Sequence, residues 1–241
     1  MLNLFKKNKF ISLDEIFLSL DKGKKGSLTL WDRYILRIPS FYLSYVLYNY
    51  LNLSANAVSV VSAIIAIVGF LLVFYSPNEN FVIMLLLLNI WTLLDCSDGN
   101  IARTLSLKYD INNLYGELYD ALSGYTVLAG LWVTIGFYLM KIGGEEMYLL
   151  LGALSSILAL FSRMVNLRLI LVNGVGCYVN KNSWPHQIWE NFEIGSFMMP
   201  LLVVSYYYGF LKQVFLFYLL INFALTVYSL LKVLVFSRGE G

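Results

Sequence analysis

The sequence predicts an all-α integral membrane protein with six transmembrane helices, preceded by an interfacial amphipathic helix on the cytoplasmic side. Three observations predict this class. Of the 241 residues, 59% are hydrophobic and only 13% are charged, whereas a soluble domain carries roughly 25% charged residues. The mean hydropathy is +0.69. Long apolar stretches recur along the chain. The composition therefore excludes a disordered chain, a disulfide scaffold and an ordinary cytosolic enzyme.

The chain divides into two predicted domains. Residues 1–53 form a cytoplasmic N-terminal segment with the interfacial helix, and residues 54–241 form the six-helix transmembrane domain. Within the first domain, residues 11–20 predict at most a short amphipathic helix. Residues 28–53 combine many tyrosines with Arg33 and Arg37. Aromatic and basic side chains together favour a helix in the headgroup plane over one that crosses the bilayer.

Six later stretches are long and apolar enough to span about 30 Å of hydrocarbon. We expect the spans at residues 56–76, 81–105, 113–140, 147–171, 194–210 and 213–236. The fifth span is the weakest because it is short and contains Pro200. Tight turns at residues 76–80 and 141–144 predict that the successive helices are antiparallel neighbours in a bundle.

The basic residues predict the orientation of the chain. With six spans and a cytoplasmic N-terminus, fifteen of the 17 lysines and arginines lie on the inner side, and only Lys141 and Lys212 lie outside. This asymmetry is typical of the positive-inside rule and predicts that both termini are cytoplasmic. The formal net charge of +2 is too small to indicate a nucleic-acid partner.

Three carboxylates interrupt the apolar spans where charge is costly. Asp95 and Asp98 share one face of the second span, and Asp120 lies near the start of the third. Ionised groups at membrane depth mark functional sites by default. Since a short cytoplasmic loop joins the two spans, we expect the three side chains to meet. A structural alternative is that they cap helix ends and pair with Arg103 and Lys108.

Small residues on the same two faces would let a neighbouring helix or a ligand approach closely. They are Gly99, Ala102, Gly116 and Gly124. Three clustered carboxylates repel one another unless a cation compensates their charge. Hard oxygen ligands favour Mg²⁺, or the similar Mn²⁺. The pattern therefore predicts a divalent-metal site that also binds substrate phosphates.

These residues resemble the signature of the CDP-alcohol phosphotransferases, also called CDP-alcohol phosphatidyltransferases. That signature reads D-x2-D-G-x2-A-R, followed by a spacer and G-x3-D-x3-D. Its first half is matched in full by Asp95, Asp98, Gly99, Ala102 and Arg103. Gly116 and Asp120 match the start of its second half. Asn56 and Ser59 look like the Asn and Thr that open the family's first span.

Two departures separate this chain from the family pattern. The spacer from Arg103 to Gly116 holds twelve residues, about four more than usual, or about one helical turn. In addition, the last aspartate of the signature falls on Gly124. A competing register places Asn112, Gly116 and Asp120 at the last three positions. We prefer the first register because it keeps Gly116 and Asp120 in phase with each other, at the G-x3-D spacing of the signature.

The resemblance implies an activity for residues 54–241, which become the catalytic domain. A substituted phosphate group moves from a CDP-linked donor to an alcohol, lipid or glycan acceptor, and CMP is released. The donor is CDP-diacylglycerol or a soluble CDP-alcohol. Asp95, Asp98 and Asp120 would hold Mg²⁺ or Mn²⁺. The donor would contact Asn56, Ser59, Gly99, Ala102, Arg103 and Gly116.

The missing aspartate leaves the general base open. Glu117 beside Asp120 could take this role, or Asp110 could fold back into the site. An acceptor that is already ionised, such as a phosphate or carboxylate, would need no base. The remaining alternative is a catalytically degenerate member that acts as a non-catalytic membrane protein or small-molecule carrier.

The fourth span adds a candidate acceptor pocket near its cytoplasmic end. Arg163 and Asn166 share a face and could hold a phosphate of the acceptor. Arg168 fits snorkelling to headgroups better, and His186 fits an interfacial anchor better than a base. We expect a prokaryotic inner or plasma membrane because the chain is minimal and untargeted, and from the family a homodimer is possible.

Overall fold

The computed structural model describes residues 10–21, 35–110, 115–172 and 197–238. In this part of the chain the structure is helical. In chain order the helices are α1 (Leu13–Asp21), α2 (Arg37–Asn49), α3 (Ala55–Tyr75), α4 (Pro77–Tyr109), α5 (Gly116–Gly143), α6 (Met147–Val172), α7 (Met198–Tyr207) and α8 (Leu211–Arg238).

Five of these helices are long and apolar enough to cross a membrane, which makes the chain an integral membrane protein. The candidate spans are Ala55–Tyr75, Pro77–Tyr109, Gly116–Gly143, Met147–Leu169 and Leu211–Leu234. They correspond to the first four predicted spans and the sixth, with ends that differ by a few residues. Many of their large apolar side chains are exposed, as expected for helices that contact lipid.

The predicted fifth span, residues 194–210, is represented by α7. Its ten residues measure about 15 Å, which is half of the roughly 30 Å of hydrocarbon. Residues 173–196 lie outside the described residues, so the count of six spans stays a prediction. Pro200 is in the first turn of α7, where no helical hydrogen bond requires its backbone N–H.

Local sequence signals set the helix ends. The Ser54 hydroxyl caps α3 by accepting a hydrogen bond from the Ala57 N–H at 3.2 Å. Ser76 is extended, and Pro77 starts α4 at the first helical position, where its fixed φ suits a helix. Gly144 ends α5 with φ of 75°, a conformation that glycine adopts without strain. These turns place α3 against α4 and α5 against α6.

Two apolar clusters hold the bundle together. The larger cluster contains side chains from every helix from α3 through α8. It includes the fully buried Trp132 and the stacked pair Phe81 and Tyr138, whose ring centroids are 3.9 Å apart. The smaller cluster packs α1 and α2 against α3 and α4, with Ile16, Leu47 and other side chains. The N-terminal segment is thus part of the folded core at the end of α4.

The exposed face of α2 is apolar, whereas its buried face is partly polar. Ile38, Tyr42 and Val46 lie one turn apart and are exposed. This arrangement fits a helix that contacts lipid, as expected for the interfacial helix at 28–53. Residues 28–34 lie outside the described residues, and the interfacial placement stays a prediction.

The helices α5 and α6 approach each other closely at two glycines. A side-chain carbon added at Gly136 would collide with the carbonyl oxygen of Tyr148, and one added at Gly152 would collide with that of Trp132. Backbone atoms cannot move aside as a flexible side chain can. Small residues at such crossings allow the dispersion contacts that hold helices together in lipid.

The α1 helix is attached to the end of α4 by a capping box and an ion pair. The Ser12 hydroxyl accepts from the Glu15 N–H at 3.2 Å, and the Glu15 carboxylate accepts from the Ser12 N–H at 2.8 Å. The Lys108 ammonium lies 2.6 Å from Glu15 and also donates to the Phe10 carbonyl at 2.9 Å. The hydrogen bond from Lys108 holds the pKa of Glu15 below its ordinary value.

We predict that Gly136→Ala or Gly152→Ala lowers the free energy of unfolding by about 1–3 kcal/mol, because either change overpacks the α5–α6 crossing. Thermal unfolding of the purified protein in detergent measures this. Gly143→Ala is the matched control, since the nearest atom to its added carbon is 4.0 Å away. Equal midpoints for the three variants would contradict the predicted close contact.

We predict that Glu15→Gln lowers the thermal midpoint by at most a few degrees near pH 7, and that this difference disappears in acid. The folded-state pKa of Glu15 lies below 4.5. Its contribution is therefore complete above pH 4.5 and is lost as the pH falls through the lower folded value. Midpoints measured against pH, with Glu146→Gln as control, test this. A difference that persists in strong acid would refute the assignment.

Candidate metal centre

Three carboxylates from two helices meet at one point of the bundle. Asp95 and Asp98 come from α4 and Asp120 from α5, and one oxygen of each lies within 4.8 Å of the others. Asp98 is buried, Asp95 is partly buried and Asp120 is exposed. The cluster therefore lies at a border, with one side in the protein and the other open.

Helix geometry explains both the meeting and its depth. Asp95 and Asp98 are three residues apart, so they lie on one face of α4. Asp95 follows the start of α4 by about 27 Å, close to the roughly 30 Å thickness of the hydrocarbon layer. Asp120 is in the second turn of α5, which runs back from the same end. The cluster is thus at the predicted cytoplasmic end of the spans.

A third helix supports the buried carboxylate. The Ser59 hydroxyl on α3 donates a hydrogen bond of 2.5 Å to Oδ2 of Asp98, and Ser59 is itself buried. Asn56 lies one turn earlier on α3 and is partly buried. The Ser59 hydroxyl therefore fixes one oxygen of Asp98.

The electrostatics of the cluster favour a bound cation. Asp95 is repelled by Asp98 and Asp120, and Arg163 is the cation that attracts it. Three acceptors within 4.8 Å of one another fit the spacing of oxygens around one divalent ion or a close pair. Carboxylate oxygens are the ligands that Mg²⁺ prefers. The residues present therefore fit the divalent metal that the sequence predicts.

The Arg103 guanidinium covers Gly99, one turn before it on α4. A carbon added at Gly99 would lie 3.0 Å from Nη1 of Arg103, and Nη2 donates a 2.8 Å hydrogen bond to the Asn100 side-chain oxygen. The surface of Gly99 was expected to receive a nucleotide. In this structure the guanidinium occupies that space. Ala102, the other small residue, packs against the smaller apolar cluster.

Sequence reasoning missed a polar network between α2 and α4. The Asn100 amide nitrogen donates to the hydroxyls of Ser40 and Ser44 at 3.1 and 3.3 Å. The Ser97 hydroxyl donates to the Ser40 carbonyl at 3.2 Å, and Arg37 donates to the Asn100 oxygen at 3.2 Å. The network could have been predicted from the spacing of Arg37, Ser40 and Ser44, which places all three on one helix face.

The surface of Gly124 faces Arg163 on α6. A carbon added at Gly124 would lie 3.8 Å from Nη2 of Arg163, and the same guanidinium lies 5.6 Å from the ring centroid of Tyr125. Gly124 thus lies at a helix–helix contact, one turn after Asp120. An anionic group beside Gly124 would reach both the arginine and the edge of the carboxylate cluster.

The other predicted site residues lie at the end of α4, in the first turn of α5 and on α6. Gly116 starts α5, and Glu117 is exposed in its first turn. Asp110 is exposed and ends α4 in the left-handed region, with φ of 51°. The Asn166 amide donates to Ser229 on α8 at 3.1 Å, and the acceptor pocket that Asn166 would share with Arg163 stays a prediction. His186 lies outside the described residues.

Comparison with protein-family models identifies the family of the chain. The family model described as CDP-alcohol phosphatidyltransferase matches residues 52–230, which include α3 to α6 and the whole carboxylate cluster. No curated protein and no solved structure gives a significant match to the chain. Since the family model covers well over half of the sequence, the chain belongs to the CDP-alcohol phosphatidyltransferase family.

Proposed function

We propose that the protein is a divalent-metal-dependent membrane transferase. It moves a substituted phosphate group from a CDP-linked donor to an alcohol, lipid or glycan acceptor and releases CMP. The donor is CDP-diacylglycerol or a soluble CDP-alcohol. The reaction takes place at the cytoplasmic face of an inner or plasma membrane, with both termini on that side, and a homodimer is possible.

The observation that carries this proposal is the meeting of Asp95, Asp98 and Asp120 at one end of a lipid-embedded bundle. Three carboxylates at this depth would destabilise the fold unless a bound ligand compensated their charge. A site with open access on the Asp120 side supports binding of a ligand that brings positive charge. A metal–diphosphate complex has that charge at its metal end.

Each residue of the site has a proposed role. Asp95, Asp98 and Asp120 hold Mg²⁺ or Mn²⁺, which when bound neutralises the donor diphosphate and supports the departing CMP. Ser59 orients Asp98, and Asn56, Gly99, Ala102, Arg103 and Gly116 line the donor site. The acceptor oxygen forms a bond to the transferred phosphorus as the bond between that phosphorus and the CMP oxygen breaks.

The acceptor binds on the Arg163 side of the cluster. Gly124 leaves space beside the Arg163 guanidinium, and that cation would hold an anionic group of the acceptor. We propose that Glu117 removes the proton of an acceptor hydroxyl, because it is exposed in the turn before Asp120. An acceptor that is ionised already needs no such base.

We predict that the purified protein releases CMP from a CDP-linked donor in the presence of Mg²⁺, and that EDTA or Asp98→Asn abolishes the release. The change removes one of three metal ligands, and the loss should exceed about 100-fold. Glu79→Gln, at the opposite end of α4, is the control with full activity. Equal signals in the wild type, the EDTA sample and Asp98→Asn would instead support the non-catalytic alternative.

We predict that Glu117→Gln lowers kcat about 10²-fold or more, the usual contribution of a general base, and leaves KM for the donor nearly unchanged. Glu145→Gln on the opposite side is the control. Unchanged turnover in Glu117→Gln would exclude Glu117 as the general base.

A further inference from the structure

One buried arginine and one partly buried arginine share a single hydrogen-bond acceptor next to the carboxylate cluster. Arg37, which begins α2, is only 8% exposed, and its Nη1 donates to Oδ1 of Asn100 at 3.2 Å. Arg103 donates from Nη2 to the same oxygen at 2.8 Å. The two guanidinium groups are therefore held side by side, although both carry a positive charge.

The Arg37 and Arg103 pair lacks a matching anion. The Nε atoms of both residues are buried without a hydrogen-bond partner. Within the described ranges, no carboxylate forms an ion pair with either guanidinium, and Lys108 with Glu15 is the ion pair found there. A buried charge is costly unless it is paired, and unused buried donors call for an explanation.

The carboxylate cluster does not supply that anion once its own ligand binds. Arg103 is repelled by Arg37 and attracted by Asp98 and Asp120. A divalent cation on those carboxylates cancels the attraction and leaves the repulsion between the arginines. Binding of a cation therefore increases the preference of this arginine pair for an anion.

The neighbouring side chains fix the pair in place. The amide nitrogen of Asn100 is bound by the Ser40 and Ser44 hydroxyls, so its oxygen must point to the arginines. The Ser44 hydroxyl also lies 3.2 Å from the Ser97 carbonyl. The donors are thus ordered before a ligand arrives, which reduces the entropy that binding costs.

We propose that Arg37 is a second oxyanion ligand, which binds a phosphate group of the donor diphosphate together with Arg103. Identifying the oxyanion as the donor diphosphate rests on the proposed function. The α2 helix then contributes a binding residue to a site whose other residues come from α3, α4 and α5. Arg103 must move off Gly99 as the donor enters, whereas Arg37 stays in place and donates its hydrogen bonds to the phosphate.

The test measures binding of CDP and inorganic pyrophosphate to the full chain in detergent with Mg²⁺. Arg37→Met keeps the length of the side chain and removes its charge. We expect it to weaken the binding of CDP and pyrophosphate by roughly tenfold or more, as for a lost hydrogen bond to a charged group. The binding of cytidine, measured by competition, should stay unchanged. Lys141→Met, an exposed change at the other end of the bundle, should bind all three as the wild type does.

The unfolding midpoint separates binding from support of the fold. If Arg37 binds an oxyanion, the ligand-free midpoint of Arg37→Met should stay the same or rise, because the repulsion with Arg103 is relieved. Unchanged pyrophosphate affinity in this variant, or an equal loss of cytidine affinity, would overturn the proposal. If Arg37→Met does not fold, Arg37→Lys decides, since lysine lacks the two-pronged donor, and unchanged pyrophosphate affinity would then overturn it.

The same measurements separate this inference from the proposed function. Wild-type protein that binds pyrophosphate in an Arg37-dependent way but does not bind CDP would support the oxyanion site and remove the donor assignment. Equally tight binding of CDP and pyrophosphate by the wild type and by Arg37→Met would overturn the role of Arg37 and leave the transferase proposal intact.

Discussion

Repulsion among three carboxylates at the edge of the hydrocarbon layer is the constraint on which this structure depends. Asp95, Asp98 and Asp120 lie close enough to share a ligand, in surroundings where charge is poorly solvated. Within the described part of the chain, Arg163 attracts Asp95 and Arg103 attracts Asp98, and one serine hydroxyl donates to the most buried carboxylate. The fold therefore keeps three acidic groups at a place where a bound cation would stabilise them.

The N-terminal segment places polar and charged side chains beside this site. The α2 helix turns Arg37 and two serines toward α4 and leaves apolar side chains on its other face, which inverts the pattern of a helix on a soluble protein. Its polar network binds Asn100, two residues after Asp98. Arg103 thus lies near Asp98 and Asp120, and Arg163 lies near Asp95. A phosphate-bearing ligand at the carboxylate cluster would meet these cationic groups.

Different residues show how far sequence reasoning reached. The spans were predictable because about 20 consecutive apolar residues have few other solutions, and Asp95 with Asp98 shared a face by helical period alone. The contact of Asn166 with Ser229 could not be predicted because the two residues are 63 positions apart in the sequence. The Arg37 network was missed for the same reason, since the interfacial pattern of residues 28–53 indicates which side meets lipid but not which helix the opposite side contacts.

By itself the sequence determined the membrane class, the approximate spans, the family and the pair of helices that carry the acidic groups, because hydrophobic length and helical period are local properties. The tertiary structure decided that Ser59 binds Asp98, that Arg103 covers Gly99 and that Gly124 faces Arg163. It also decided that two arginines share one amide oxygen. These are contacts between distant segments, and their geometry depends on how closely helices pack at small residues and on which buried polar groups must find partners.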